Sequence, residues 1–318
     1  MTYDFDTTTD DVLANIELHG TLAVITGAST GIGLETARAL ASVGAEIVMA
    51  GRNADKHRVA MAAIREQHPA AVLSHVELDL TSLVSVRAAA HSIAAAHPRV
   101  DLLINNAGVM YTPLQRTAEG FELQFGTNHL GHFVFTNHLA GAVRAGAPAR
   151  IVNLSSGGHQ SSDIVWDDPN YLVRPYDKFQ AYGQAKTANI LFSVELQRRF
   201  GSSGVDAYAV HPGMIVTELG RYMTRDDMKL LRERIAASSA SAPAGAPIGY
   251  KTIAQGAATT VWVATSTELV GQGGTYLADC AVCTTHAPWA RDADSAARLW
   301  SLSEELVGET FPQPIQGA

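Results

Sequence analysis

Tyr182-Gly183-Gln184-Ala185-Lys186 sets a phenol and an ammonium four residues apart, on one face of a helix if the segment is helical. A free tyrosine titrates near ~10, too high for proton transfer at neutral pH. An ammonium one turn away favours the phenolate and lowers that value. Tyr182 is therefore expected to give a proton to a carbonyl oxygen or take one from an alcohol. Such a pair also arises by accident, so its company matters. Asn153-Leu154-Ser155-Ser156-Gly157-Gly158 closes an apolar run with hydroxyls, and a serine at that tip would hold a substrate oxygen against Tyr182. Asn128, within Thr127–His132, is expected to hold a water that links Lys186 to solvent. His129 and His132 stand three apart, but no third ligand follows at a suitable spacing, so no metal is expected.

A second chemical signal lies near the start. The run Thr21–Thr26 leads into Gly27-Ala28-Ser29-Thr30-Gly31-Ile32-Gly33, and a helical pattern follows at once. A helix N-terminus offers unpaired N–H groups to a pyrophosphate. Glycines allow close approach and positive φ, so the loop reads as a dinucleotide cradle. Ser29, Thr30 and Ile32 belong to it. The next strand ends Met49-Ala50-Gly51-Arg52-Asn53. It lacks the tip acid that usually bonds a ribose hydroxyl. A guanidinium suits a 2′-phosphate, which favours NADP, with NAD as the alternative. Arg52 serves equally as a cap on a surface turn. Asp79 and Leu80 fall where adenine would lie, although Asp79 also suits a solvated strand end. Asn105-Asn106-Ala107-Gly108 would lie beside the cofactor at a strand tip. Pro212-Gly213-Met214-Ile215-Val216-Thr217 makes a sharp turn that would press on the nicotinamide.

These residues need a frame, and the chain alternates short apolar runs with helical stretches. Strands are expected at Thr21–Thr26, Glu46–Ala50, Val72–Leu78, Asp101–Ile104, Arg150–Leu154, Val205–His211 and Gly274–Leu277. Helices are expected at Gly33–Val43, Asn53–Gln67, Thr81–Ala96, Thr117–Val143, Lys178–Phe200, Thr252–Thr265 and Asp292–Val307. Asn53 and Thr81 are the expected N-caps. Alternation of this kind builds a doubly wound parallel sheet covered on both faces. The Ser/Ala/Pro/Gly-rich stretch Ser238–Gly249 reads as a loop, not a boundary.

The 318 residues carry a formal net charge of -8 and no basic cluster, which argues against nucleic acid or anionic membrane as a partner. No run approaches the roughly 18–20 apolar residues of a membrane span. MTYDFDTTTD has neither a basic nor an apolar leader region, so a secretory signal is not expected and cytoplasm is the expected location. Cys280 and Cys283 form a C-x-x-C pair without a second pair nearby, and reduced thiols are expected.

Together, Thr26–Gly33, Asn105–Gly108, Asn128, Ser156, Tyr182 with Lys186, and Pro212–Thr217 resemble the short-chain dehydrogenase/reductase family. Val48–Arg52, Asn128–Phe133, Ala188–Leu196 and Trp300–Ser303 resemble its retinol dehydrogenase-like branch. The resemblance implies one Rossmann-type α/β domain with a seven-stranded parallel sheet over residues 19–318, and residues 1–18 read from their composition as a polar arm before it. It implies a tetrad of Asn128, Ser156, Tyr182 and Lys186, and Lys186 would also bond the nicotinamide ribose. Ser156 is preferred to Ser155 because the family's serine is usually the second of such a pair. Substrate would meet Ser156, Gly157, Tyr182, Met214 and Tyr222, beneath the insertion 157–181 and the loop region 214–250. A lipophilic secondary alcohol or ketone, steroid or retinoid, is expected, with a polyketide-type carbonyl as an alternative. The family usually pairs through its two long helices, which implies a homodimer or homotetramer. A silent NADP sensor and an extended-branch epimerase are the rival readings.

Overall fold

The apolar runs are too short for stable helices and are bounded by glycine or polar turns, so they become strands whose two faces are both buried. The computed structural model describes residues 3–239 and 249–311, with backbone alone for 235–239. Most of Ser238–Gly249 lies outside the described residues. Residues 3–18, expected as a polar arm, carry a short helix α1 (Thr9–Leu13), whose Val12 and Leu13 are buried. There follow β1 (Leu22–Thr26), α2 (Gly31–Ser42), β2 (Glu46–Ala50), α3 (Ala54–Gln67), β3 (Leu73–Val76), α4 (Leu83–Ala96) and β4 (Leu102–Asn105). Next come a single turn α5 (Leu123–Phe125), a π-helical turn Gly126–Leu130, and α6 (Gly131–Ala145). The remaining order is β5 (Ala149–Leu154), α7 (Lys178–Phe200), β6 (Val205–His211), β7 (Met214–Ile215), α8 (Arg225–Ser239), β8 (Tyr250–Lys251), α9 (Ile253–Thr265), β9 (Tyr276–Ala278), β10 (Ala281–Val282) and α10 (Ala293–Val307).

The main sheet runs β10-β9-β6-β5-β4-β1-β2-β3. Seven of its strands are parallel, as expected. The eighth, β10, is two residues long and antiparallel to β9, too short to leave a periodic signal. The chain winds outward through β2 and β3, then restarts beside β1 with β4 and winds the other way. That reversal opens a crevice beyond the carboxyl ends of β1 and β4. Alternate strand residues feed two cores. Val24, Val48, Leu103 and Ile151 pack under α4, α6, α7 and α10. Ile25, Ile47, Ile104 and Val152 pack under α1, α2 and α9. No helix among the described residues is long and apolar enough to cross a membrane.

Three expectations change. The stretch Thr117–Val143 is not one helix, because Glu122 ends the extended segment and caps α5 by accepting from Gln124 and Phe125 N–H. The π turn then adds a residue before α6 begins. Thr81 does not cap α4. Its N–H and hydroxyl both donate to Asp79, and Ser82 takes the cap position. The region 214–250 is not all loop, since it contains α8. That helix is short of apolar residues and has no strong stripe to announce it.

Helix α10 lies across α6 and α7. Trp300, 1% exposed, meets Phe133 at 4.9 Å between ring centroids and lies under the Arg199 guanidinium. Ser303 bonds His129 at 2.8 Å. Trp300→Ala is expected to cost ~3–5 kcal/mol, read from urea unfolding. A loss under ~1 kcal/mol would mean that α10 is not part of the cooperative core.

Candidate active site

The glycine loop is shaped by contacts that no side chain would survive. A Cβ at Gly33 would come within 2.4 Å of Asn106 Nδ2 and 2.5 Å of the Gly27 carbonyl oxygen. One at Gly27 would meet Ala107 at 2.9 Å, and Gly27 has φ +67°. Asn106 Nδ2 donates to the Thr26 carbonyl oxygen at 2.8 Å. The Thr26 hydroxyl accepts from Asn106 and Ala107 N–H, both at 3.0 Å. Thr30 takes the N-cap position of α2 without a side-chain cap bond, so the first N–H groups of that helix have no partner from the cap side chain. A cradle of this kind fits a pyrophosphate.

From this loop a cleft of about 1720 Å³ runs along the strand tips. Every residue expected from the sequence to bind cofactor or substrate or to act in catalysis lines it except Asn105 and Asn128. Asn105 is buried in the sheet, and its Nδ2 donates to Thr136 and Asn153. The expectation that it meets the cofactor is therefore corrected to Asn106, because alternation along β4 turns Asn105 away. Asn128 is also buried. Its Oδ1 accepts from Val109 N–H and its Nδ2 donates to the Val109 carbonyl. Its own carbonyl accepts from His132 Nδ1 at 3.0 Å, and His132 Nε2 lies 2.9 Å from the Thr26 hydroxyl. His132 thus joins the π turn to the glycine loop.

Helix α7 starts at Asp177, whose carboxylate accepts from Phe179 and Gln180 N–H. One turn further on it presents Tyr182, 3% exposed. Ser156 lines the cleft beside Tyr182, and its Oγ accepts from Gly158 N–H at 3.1 Å. A Cβ at Gly158 would press on the Tyr182 ring at 2.9 Å. Lys186 Nζ donates to the Leu154 carbonyl at 2.8 Å and lies 5.6 Å from the Tyr182 ring centroid. Ser155 has a different task from Ser156, because its hydroxyl donates to the Lys186 carbonyl. The insertion 157–181 is pinned by Asp168, which accepts from Leu172, Val173 and Arg174 N–H.

Sequence reasoning missed several residues. His159 is buried behind the serine turn, bonding the Ser156 carbonyl through Nδ1 and accepting from Ala287 N–H through Nε2. Met110, Tyr111 and Phe179 line the cleft beside Tyr182. Lys251, 2% exposed, reaches Asp279 at 2.5 Å and packs against Gly213. None of these lies in a recognisable motif, and only the fold brings them together.

Several known proteins are similar. Residues 21–228 match the family described as short chain dehydrogenase. Retinol dehydrogenase 13 from Homo sapiens is 41% identical over 296 residues, which cover 92% of this chain and 86% of the relative. A crystal structure of a Mycobacterium Paratuberculosis protein superposes with a TM-score of 0.74 at 32% identity, covering 96% of this chain and 99% of that one. A Beutenbergia cavernae protein described as an NAD(P) dependent gluconate 5-dehydrogenase, with NADP at low occupancy, gives a TM-score of 0.63 at 26% identity, over 83% and 96% of the two chains.

Burial governs the charge states of the protein alone. It pushes Tyr182 well above the ordinary phenol value, with Tyr111 adding to the rise and Ser156 opposing it. It pushes His132 down to about 4, so that histidine is neutral. It pushes Lys186 down from the ordinary 10.5 to about 8. The expected lowering of Tyr182 by Lys186 is not found: desolvation sets the direction for both groups. Between about pH 8 and 10.5 the unfolded chain holds a proton on Lys186 that the folded chain has released, so this group makes stability rise with pH in that window. Below it, the buried ammonium costs up to about 3 kcal/mol. Lys186→Met should unfold at higher urea than the parent at pH 7 and converge with it near pH 10.5. Parallel curves would show that the ammonium is not penalised.

Proposed function

We propose that this chain, which belongs to the short-chain dehydrogenase/reductase family and is an oxidoreductase acting on alcohols, interconverts a bulky lipophilic secondary alcohol and its ketone with NADP. The carrying observation is buried Tyr182, which shares with Ser156 and Lys186 the wall of the cleft that begins at the glycine loop. When bound, the nicotinamide supplies or accepts the hydride. Tyr182 donates a proton to the carbonyl oxygen, or takes one from the hydroxyl, and Ser156 holds that oxygen in place. Lys186 stands behind Tyr182 as the fixed cation, held by Leu154. Asn128 acts through position, tying the Val109 segment to the π turn.

The apolar lining beside Tyr182 supports a lipophilic substrate. Tyr111, Phe179 and Tyr182 form one cluster, with Met110, Met223 and Leu231 packed on it. The retinol in the human relative's name is likewise lipophilic, although it is a primary alcohol, and a steroid alcohol or ketone would fit the lining as well. NADP preference rests on Arg52, which is 60% exposed at the cleft and 4.0 Å from Asp79, with no acid at the tip of β2. Pairing of two or four chains through α6 and α7 meets an obstacle, because α10 covers those helices within one chain. Any homo-oligomer would use another surface.

Turnover is followed at the reduced-nicotinamide absorbance band with a panel of steroid, retinoid and simple ketones. Tyr182→Phe should keep NADP binding within a few fold and lose turnover by about three orders of magnitude or more. Turnover near that of the parent would remove Tyr182 from the chemistry. Arg52→Gln should weaken NADP about tenfold and leave NAD affinity unchanged. Equal losses for both cofactors would end the assignment to the 2′-phosphate.

A further inference from the structure

The two halves of the reaction stand on neighbouring strands that part at the site. The backbone ladder between β5 and β6 ends where Ser155 N–H donates to the Val210 carbonyl at 2.8 Å. Beyond that bond, β5 leads to Ser156 and the substrate oxygen. Strand β6 leads to Pro212 and Gly213, the turn expected to press on the nicotinamide. Proline has no N–H, so the ladder cannot continue through it. One side chain spans the gap. His211, the last residue of β6, is half-buried and lines the cleft. Its Nδ1 accepts from Gly157 N–H at 3.2 Å and from Gly213 N–H at 3.4 Å. The first donor follows Ser156 directly, and the second is the first N–H after Pro212.

These two bonds fix the tautomer. A ring nitrogen that accepts from two N–H groups carries no proton, so the proton lies on Nε2. Burial pushes His211 down to about 4, while Asp279 opposes that fall and His159 and Lys251 add to it. The neutral ring, with its Nδ1 lone pair, is therefore the form present at neutral pH. The turn is confined from its other side as well. Gly213 has φ +87°, and a Cβ there would meet Lys251 Cδ at 2.8 Å. Lys251 is held in turn by Asp279. A Cβ at Gly256, on α9, would meet Ile215 Cγ1 at 2.6 Å. Those contacts seat the turn on the body of the protein, and the His211 bonds tie it to the serine turn. Hydride transfer needs the two turns at one spacing, and a misplacement of ~1 Å can cost about a hundredfold in rate.

We propose that His211 is a positioning residue that sets the serine turn and the nicotinamide turn at reacting distance, through one lone pair shared by the Gly157 and Gly213 N–H groups. This rests on the oxidoreductase reading above and adds to it a residue outside the tetrad, acting through the two turns.

The test compares His211→Asn, His211→Gln and His211→Leu in the full chain. An asparagine Oδ1 falls at the place of Nδ1 and can accept both bonds, whereas a glutamine amide reaches toward the place of Nε2. Turnover of the ketone panel is measured with reduced NADP and reduced NAD, each also deuterated at the transferred position. The Leu and Gln variants should lose about ten- to hundredfold in kcat, with an isotope effect no smaller than the parent's. Cofactor affinity by calorimetry should stay within a few fold. The Asn variant should recover most of the rate. An unchanged kcat in the Leu variant would overturn the proposal. So would losses that track the urea midpoint across the three variants, a reduced isotope effect, or recovery by Gln instead of Asn, which would put the role at Nε2. The bond itself is read without cofactor or turnover, from nitrogen NMR resonances of the histidine rings, with His211 assigned by its absence in the Asn variant. A bare Nδ1 and a protonated Nε2 at neutral pH are expected, and a proton on Nδ1 would overturn the proposal while leaving the reaction intact. Absence of turnover of every panel member with both cofactors would remove the oxidoreductase reading, and this inference with it.

Discussion

The site depends on the close approach of two strand tips, β1 and β4, at the point where the sheet reverses its winding. A hydroxyl fixes that approach. Thr26 Oγ1 accepts two N–H bonds from the β4 tip and meets His132 on the π turn. These groups are buried, so each unmet bond would carry a full desolvation penalty. The glycines are what remains possible at that distance. Gly27 and Gly33 leave room for the Asn106 amide, and that amide holds the loop open as a cradle. Cofactor loop, Asn128 turn and sheet are therefore one hydrogen-bonded unit.

The proton-transfer groups answer to a different force. Tyr182 and Lys186 sit four residues apart on α7, and they are embedded deeply enough that desolvation sets the direction in which each is shifted. The protein alone thus stores two neutral tendencies, a phenol that resists ionising and an amine that yields its proton early. The Leu154 carbonyl holds Lys186, and Gly158, whose N–H donates to Ser156, packs closely on the Tyr182 ring. Position is supplied by the fold. The charge that would make Tyr182 a base has to come with a bound partner.

Much of this was legible in the chain. Lys178–Phe200 and Glu46–Ala50 are found at their expected limits, because Asp177 caps one and short β-rich patterning bounds the other. The glycine cradle and the Tyr182–Lys186 pair could be read because each needs specific residue types at fixed spacing. The π turn at Gly126–Leu130 could not be read, since one extra residue per turn leaves the apolar pattern unbroken. Asn105 and Asn106 are identical in type, and only strand alternation decides which faces the cleft. Thr81 lost its cap role to Ser82 because Asp79, from the preceding loop, claimed its hydroxyl. His159 and Lys251 act across more than a hundred residues of separation or through a strained turn, and no local pattern encodes that.

Helix α10 shows how a late segment changes what the earlier ones can do. The outer faces of α6 and α7 are apolar and aromatic, with Phe133 and Phe192 among them. A bare face of that kind has to be covered, either by a second chain or by the same one. Here Leu299, Trp300 and Ser303 cover it, and Glu309 beyond the helix binds Arg87 and His138. The covering brings no group to the cleft, yet Ser303 bonds buried His129, which stands next to Asn128 on the π turn. The segment most remote from the chemistry in sequence therefore supports the turn on which the geometry of the site depends. It does so by closing a surface that would otherwise call for a partner.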